Sequence, residues 1–131
     1  MTELRWLAGR VRYLPHEGER DRPTLGYVRG DTWSLAVDAG HSDAHVYDFY
    51  RALDAEGLPL PALTAITHWH WDHAFGMHAA SGLTVANERT KAHLKEACDT
   101  LSREGAEAFL SLDVTVRREY ARSVPIDLSR P

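Results

Sequence analysis

The sequence predicts one α/β domain over residues 1–131, built from a mixed β-sheet with flanking helices. Short apolar stretches alternate along the chain with longer segments in which apolar residues recur at helical spacing. A chain of 131 residues corresponds to about one domain and is long enough to bury a core. We find no internal repeat and no domain boundary.

The N-terminal third is predicted to be β-structure. Val11 and Tyr13 alternate with charged neighbours, as in a half-buried strand, and the polar residues 16–23 form a loop. Residues 25–29 and 32–37 flank a Gly-Asp turn and are predicted to pair as a β-hairpin. The second of these strands is more continuously apolar, as expected of a central strand.

Helices and strands alternate after the hairpin. Ser42 or Asp43 can cap a helix that Gly57 ends, and its apolar residues recur at helical spacing. Residues 63–67 are predicted to form a strand, residues 75–80 a short helix, residues 83–86 a strand and residues 88–101 an amphipathic helix. Towards the C-terminus, residues 106–112 are predicted to be helical and residues 124–126 extended.

Three imidazoles and one carboxylate follow directly on the buried strand: His68, His70, Asp72 and His73. Imidazole nitrogen and carboxylate oxygen are ligands of Zn²⁺, Fe and Mn. If the chain stays extended to His70, His68 and His70 point to the same side and can bind one ion. Asp72 and His73 follow a turn and can hold a second ion. Asp72 can serve as a ligand, as a proton shuttle, or as both.

The spacing His68-x-His70-x-Asp72-His73 resembles the HxHxDH signature of the metallo-β-lactamase superfamily. Residues 34–40 resemble the hydrophobic strand of that family that ends in Asp-x-Gly. The resemblance implies a hydrolase that binds one or two zinc ions, with Fe or Mn as alternatives. It would use metal-activated water to cleave an ester, thioester, lactam or phosphodiester bond in a small-molecule substrate.

The resemblance also implies a role for each residue. His68 and His70 would bind the first metal ion, and Asp72 and His73 the second. Asp72 is the predicted catalytic residue. Asp38, at the end of the upstream strand, would orient the metal ligands without being one of them.

Only the N-terminal half of the family's αββα sandwich is matched, so the ligands that the second half supplies are missing. Three explanations stay open. The chain is a fragment of a longer enzyme, or two copies associate to build one sandwich, or it is a degenerate relative that folds alone. We favour association as a homodimer, because a half-sandwich would leave one apolar sheet face bare. The rival to a hydrolase is a non-catalytic metal-binding or oligomerising remnant.

The other histidines carry weaker signals. His41 follows the Asp-x-Gly turn and His78 follows the motif, so either could replace a missing ligand. The more ordinary interpretation of both is a solvent-facing histidine or one that supports the ligands. His16, His45 and His93 are interpreted as surface residues or as core residues with satisfied hydrogen bonds.

The net charge of −4 is mild and no basic stripe is present, which argues against binding to nucleic acid or to an anionic membrane. A single cysteine, Cys98, excludes an intrachain disulfide bond. The N-terminus carries no apolar run typical of a signal peptide, and no segment is apolar enough to cross a bilayer. The composition therefore predicts a cytoplasmic protein.

Overall fold

The computed structural model describes residues 3–104, which form one six-stranded sheet with helices. The strands are β1 (Arg5–Ala8), β2 (Val11–Leu14), β3 (Leu25–Arg29), β4 (Ser34–Val37), β5 (Leu63–Ile66) and β6 (Leu83–Ala86). The helices are α1 (Asp43–Ala55), α2 (Trp71–Ala74) and α3 (Glu88–Glu104), with short 3₁₀ turns at Gly18–Arg20 and Met77–Ala79. The predictions for residues 106–112 and 124–126 lie outside the described residues.

The sheet is mixed, and its spatial order is the order of the strands in the sequence. Strands β1 to β4 form an antiparallel meander. Strands β4, β5 and β6 are parallel, with α1 connecting the first two. The α/β class and the mixed sheet with helices are therefore confirmed.

One face of the sheet packs against the helices. Leu25, Tyr27 and Ala36 are buried there together with Phe49 and Leu53 of α1. A second cluster joins Ala39, Val46, Ile66, Ala74, Met77 and Leu94, and so connects α1, β5, α2 and α3. Because side chains alternate along a strand, these residues come from every second position of the strands. The core therefore lies between the sheet and the helices.

The capping signals for α1 are confirmed. The Ser42 side chain accepts a hydrogen bond from the His45 backbone N–H, which satisfies one of the free donors at the helix start. Gly57 follows the helix with φ +68°, a conformation that glycine adopts without steric cost. The sequence thus fixes both ends of this helix.

Several elements differ from the predictions; among them, β4 begins at Ser34 instead of residue 32, and α3 extends to Glu104 instead of residue 101. Strand β1 was not predicted, because none of its four residues is buried and its pattern carries no alternation. The predicted strand 63–67 ends at Ile66. Where one helix was predicted over 75–80, the structure has a 3₁₀ turn at Met77–Ala79, and a separate short helix, α2, lies before this range at Trp71–Ala74.

Within residues 3–104, no helix is both long enough and apolar enough to cross a lipid bilayer.

Candidate metal centre

Parallel pairing of β4 and β5 brings two distant segments to one edge of the sheet. Val37 pairs with Ala65, so the chain leaves both strands at neighbouring points. The Asp38 backbone N–H extends this ladder by donating to the Ala65 carbonyl oxygen at 2.8 Å. Asp38 therefore meets the motif that follows β5, although the two segments are far apart in sequence.

Asp38 occupies an unusual backbone conformation. Its φ is +68° and only 5% of its surface is exposed. A non-glycine residue in this region costs on the order of 1–3 kcal/mol and persists only where the surroundings impose it. The left-handed turn directs the carboxylate back across the end of β5.

The Asp38 carboxylate binds two parts of the motif. The Thr67 backbone N–H donates to Oδ1 at 2.7 Å, and the Thr67 hydroxyl lies 2.9 Å from each carboxylate oxygen. His73 Nδ1 lies 2.8 Å from Asp38 Oδ2. The Ala39 backbone N–H donates to the His73 carbonyl oxygen at 2.9 Å. These bonds fix the start and the end of the motif to one turn.

The same bonds determine where the histidine protons lie. A carboxylate only accepts, so His73 carries a proton on Nδ1, and in the neutral ring Nε2 presents a lone pair. The Thr67 hydroxyl donates to Asp38, so it accepts from His68 Nδ1, which is 2.8 Å away. His68 Nε2 is then also a free acceptor. We call the four residues Asp38, Thr67, His68 and His73 the proton relay, since one carboxylate sets the tautomer of both rings.

The ligand atoms are close enough to share an ion. Asp38, His68 and His73 each offer one ligand atom, and all three atoms lie within 4.8 Å of one another. His73 Nε2 lies 3.6 Å from Asp72 Oδ2, which is too far for a hydrogen bond. Two ligands of a tetrahedral ion, each at about 2.1 Å, are separated by roughly 3.4 Å. The spacing of Asp72 and His73 fits two ligands of one ion.

His70 lies at the outer side of the site. Its ring centroid is 4.9 Å from that of His68, and the His68 and His73 centroids are 4.2 Å apart. His70 precedes the first residue of α2 and is exposed. Of the four predicted ligands, only His68 and His73 belong to the group of close ligand atoms, while Asp72 lies beside His73 and His70 beside His68. Asp38 completes this group, but its oxygens bond Thr67 and His73, which is the orienting role that the resemblance implied.

Sequence reasoning did not identify Thr67 as part of the site. Its hydroxyl connects His68 to Asp38, as described above. A hydroxyl residue placed between a buried strand and the first histidine was the available signal. The signal is weak, because threonine is common in strands for reasons of packing.

Two buried histidines lie behind the motif. His41 is 3% exposed, and its ring nitrogens lie 2.8 Å from the Ser42 hydroxyl and 2.9 Å from the Arg20 carbonyl oxygen. Its ring stacks on Trp71 with 5.7 Å between the centroids. Both nitrogens are engaged, so His41 is not placed as a metal ligand, and it is not solvent-facing either.

The interpretation of His45 as a surface residue or a satisfied core residue is wrong. His45 is completely buried, and among residues 3–104 its Nε2 atom has no hydrogen-bond partner, so it is neither a surface residue nor a fully satisfied core residue. Burial and the neighbouring His41 lower the pKa of His45 from 6.5 to about 2. Burial, together with the Arg22 guanidinium, lowers the pKa of His41 to about 4. Both rings are neutral at pH 7.

The chain after the motif packs closely against the turn that contains Asp38. The Gly76 backbone N–H donates to the Gly40 carbonyl oxygen at 3.2 Å. A Cβ at Gly76 would overlap the carbonyl oxygens of Ala39 and Ser42. A residue without a side chain is therefore required where the chain after the motif crosses the Asp38 turn.

The remaining predicted residues lie around the site. Trp69 is 41% exposed and stacks on His93 with 5.2 Å between the centroids, so it forms an outer wall. His78 lies in the 3₁₀ turn after the motif and is half-buried, outside the group of ligand atoms. His16 is exposed, as expected.

Comparison with known proteins supports the fold. No protein-family model matches the sequence, and no curated protein matches it. Solved structures do match. The metallo-β-lactamase FIM-1 from Pseudomonas aeruginosa in its mono-zinc form has a TM-score of 0.60 at 16% identity, over 72% of this chain and 46% of that protein.

Two further structures give the same result. A metallo-β-lactamase from Hirschia baltica has a TM-score of 0.57 at 21% identity, over 73% of this chain and 48% of that protein. A motif mutant of the enzyme from Cronobacter sakazakii has a TM-score of 0.60 at 19% identity, over 71% of this chain and 37% of that protein. The chain thus spans less than half the length of each of these structures. At these identities the likeness concerns the fold, and residues 3–104 have the fold of part of a metallo-β-lactamase.

Proposed function

We propose that this protein is a metal-dependent hydrolase of the metallo-β-lactamase superfamily, with zinc as its metal. Its substrate would be a small molecule with an ester, thioester, lactam or phosphodiester bond. The observation that carries the proposal is the proton relay, in which the Asp38 carboxylate leaves Nε2 of both His68 and His73 free to bind a cation. A relay of this kind is typical of histidines that bind metal.

The residues fit such an ion chemically. Imidazole and carboxylate are the donors that zinc accepts, and iron and manganese accept them too. His68, His73 and Asp72 would hold the metal from the side of the sheet, and His70 from the exposed side. When bound, a divalent cation supplies the Lewis acidity that makes water a nucleophile near neutral pH.

The protein's own groups would orient the reactants and move protons. The side chain of Asp72 is 31% exposed and reaches both the ligand cluster and solvent. Its free carboxylate oxygen can take a proton from the attacking water and pass it to the leaving group. The Trp69 ring can pack against an apolar part of the substrate, since it stands exposed beside His70.

The proposal is tested by metal titration and by turnover in parallel. The wild-type chain is expected to bind zinc stoichiometrically, and His68→Ala and His73→Ala should each weaken binding by at least about tenfold. His16→Ala, an exposed histidine in the N-terminal loop, is the matched control and should bind as the wild type does.

Hydrolysis is then measured on chromogenic lactam, thioester, lactone and phosphodiester probes. Turnover that requires zinc and disappears in His68→Ala supports a hydrolase. Stoichiometric binding without turnover of any probe favours the non-catalytic remnant. If zinc changes neither the thermal unfolding temperature nor any activity, the metal site itself is wrong.

A further inference from the structure

The sheet has a second face, opposite to the helices, that is uniformly apolar. Val28, Leu35, Leu63 and Leu83 pair in register across β3 to β6, and Val37 and Val85 belong to the next row on the same side. Register partners share one face of a sheet. We call these six residues the apolar sheet face. None of them is charged.

Within residues 3–104, neither core cluster includes a residue of this face, in which Leu83 and Val85 are exposed and the other four are half-buried. The two core clusters draw their strand residues from the other side of the sheet, such as Tyr27, Ala36 and Ile66. Leu83 is 56% exposed and Val85 is 43% exposed. An aliphatic surface left in water in this way is unfavourable by roughly 25 cal/mol for each Å².

The area of the apolar sheet face can be compared with the areas buried in stable protein complexes. Four strands about 4.8 Å apart, with four or five residues of about 3.3 Å each, give a flat footprint of roughly 290 Å². Monomeric proteins rarely expose contiguous apolar patches above a few hundred Å². The flat footprint is a little more than one third of the roughly 800 Å² of accessible surface that each partner buries in a stable complex, and the side chains that project from the sheet add to it.

We propose that a second copy of this chain covers the apolar sheet face, so that two sheets pack face to face around a twofold axis. Sheets packed in this way lie about 10 Å apart and interdigitate the side chains of their inner faces. A twofold axis brings the same patch of both copies together. An uncharged patch can meet itself without placing like charges in contact.

Composition favours a second copy over a different protein. Transient interfaces are enriched in arginine and aromatic residues and have about the polarity of ordinary surface. Obligate homodimer interfaces are more apolar and resemble a domain core cut in half. The apolar sheet face consists of valine and leucine, and Gly26 and Ala65, which complete its second row, are also uncharged, which matches the second class.

The dimer would also border the candidate metal centre. Val37 belongs to the apolar sheet face and directly precedes Asp38, and β5 leads into the motif at its C-terminal end. A second sheet seated on this face would therefore reach the edge at which His70 is exposed. The association itself requires no metal, so it can be tested independently of the proposed hydrolase.

Sedimentation velocity of the 131-residue chain at micromolar concentration tests the proposal. The expected species has twice the 14.7 kDa mass of one chain. Leu83→Asp should raise the dissociation constant by at least about a hundredfold, because a carboxylate would be buried unpaired twice in each dimer. Leu83 is largely exposed in the single chain, so the variant should keep its fold, which circular dichroism checks.

Leu60→Asp is the matched control. Leu60 is 50% exposed and lies in the loop before β5, outside the apolar sheet face, so this variant should remain dimeric. Val85→Asp repeats the test on the same strand if Leu83→Asp loses its structure. A monomeric wild-type chain overturns the proposal, whether the face then binds lipid vesicles or another part of the polypeptide. A dimer that a folded Leu83→Asp variant leaves intact overturns it as well.

Discussion

Replacing Asp38 by asparagine would test the proton relay with almost no change of shape. Asparagine, like aspartate, is one of the few non-glycine residues that tolerate positive φ, so the turn at φ +68° should persist. The side-chain oxygen can still accept from the Thr67 backbone N–H. The other terminal atom changes from an acceptor to a donor, and this atom faces His73 Nδ1.

The structure allows the effect to be estimated. In the metal-free protein, His73 can move its proton to Nε2 and accept the new amide N–H on Nδ1, so the hydrogen bond survives with reversed polarity. To bind an ion, His73 must return the proton to Nδ1, where two donors would then face each other. An unsatisfied buried donor costs about 1–3 kcal/mol, which corresponds to a loss of zinc affinity of roughly 10- to 100-fold.

The assay is competition for zinc against a chromophoric chelator, with urea unfolding of the metal-free protein in parallel. We expect the affinity to fall while the free energy of unfolding changes by less than about 1 kcal/mol, because the metal-free bond is kept. Asp21→Asn is the matched control. Asp21 also has positive φ, at 52°, but it is exposed and lies outside the group of ligand atoms.

An unchanged zinc affinity in Asp38→Asn would refute the relay. Equal losses of affinity in Asp38→Asn and Asp21→Asn would refute it too, since the cause would then be the backbone. A large loss of metal-free stability with unchanged zinc affinity would mean that Asp38 only maintains the fold.

Two further predictions concern stability. His41 and His45 are neutral in the folded chain while the unfolded chain takes up protons below pH 6.5, so stability should fall as the pH drops from 6.5 towards 4. Each contributes a loss of about 2 kcal/mol between pH 7 and pH 5, measured by urea unfolding without metal. His45→Leu should flatten this dependence and His16→Gln should not. Gly76→Ala should lower the free energy of unfolding by about 2 kcal/mol or more, because its Cβ would overlap backbone oxygens. Gly18→Ala, with open space around it, should change that energy by less than about 1 kcal/mol, and equal losses in the two variants would contradict the packing argument.

Local patterns in the sequence were sufficient for most of the fold. The hairpin of β3 and β4 and the capped helix α1 could be read from turn residues, alternation and a cap at Ser42, all of which act over a few residues. Strand β1 could not, because pairing with β2 rather than burial places it in the sheet. The sequence indicated a turn after His70 and one helix over 75–80, but not the division into helix α2 and a separate 3₁₀ turn.

In the candidate site too, local features could be predicted from the sequence, whereas contacts between distant segments could not. The four predicted ligands are neighbours in sequence: His68, His70, Asp72 and His73. A shared role in metal binding could therefore be predicted from their spacing. Their contacts with Asp38 depend on the parallel pairing of β4 and β5, which joins residues far apart in the chain. Local pattern carries no information about which strands become neighbours, so the orienting role of Asp38 followed only from the family resemblance, and its contacts with Thr67 and His73 only from the structure.

The electrostatics of Asp38 give a separate reason to expect a cation. Its carboxylate is buried, and within residues 3–104 no lysine or arginine forms an ion pair with it. Burying an unpaired charge is costly, and the residue also carries the strain of positive φ. Hydrogen bonds from Thr67 and His73 offset part of this cost but bring no positive charge while His73 is neutral. Asparagine or glycine would fit the turn more cheaply, so a carboxylate at this position makes physical sense if positive charge arrives at His73, as a bound metal ion would supply.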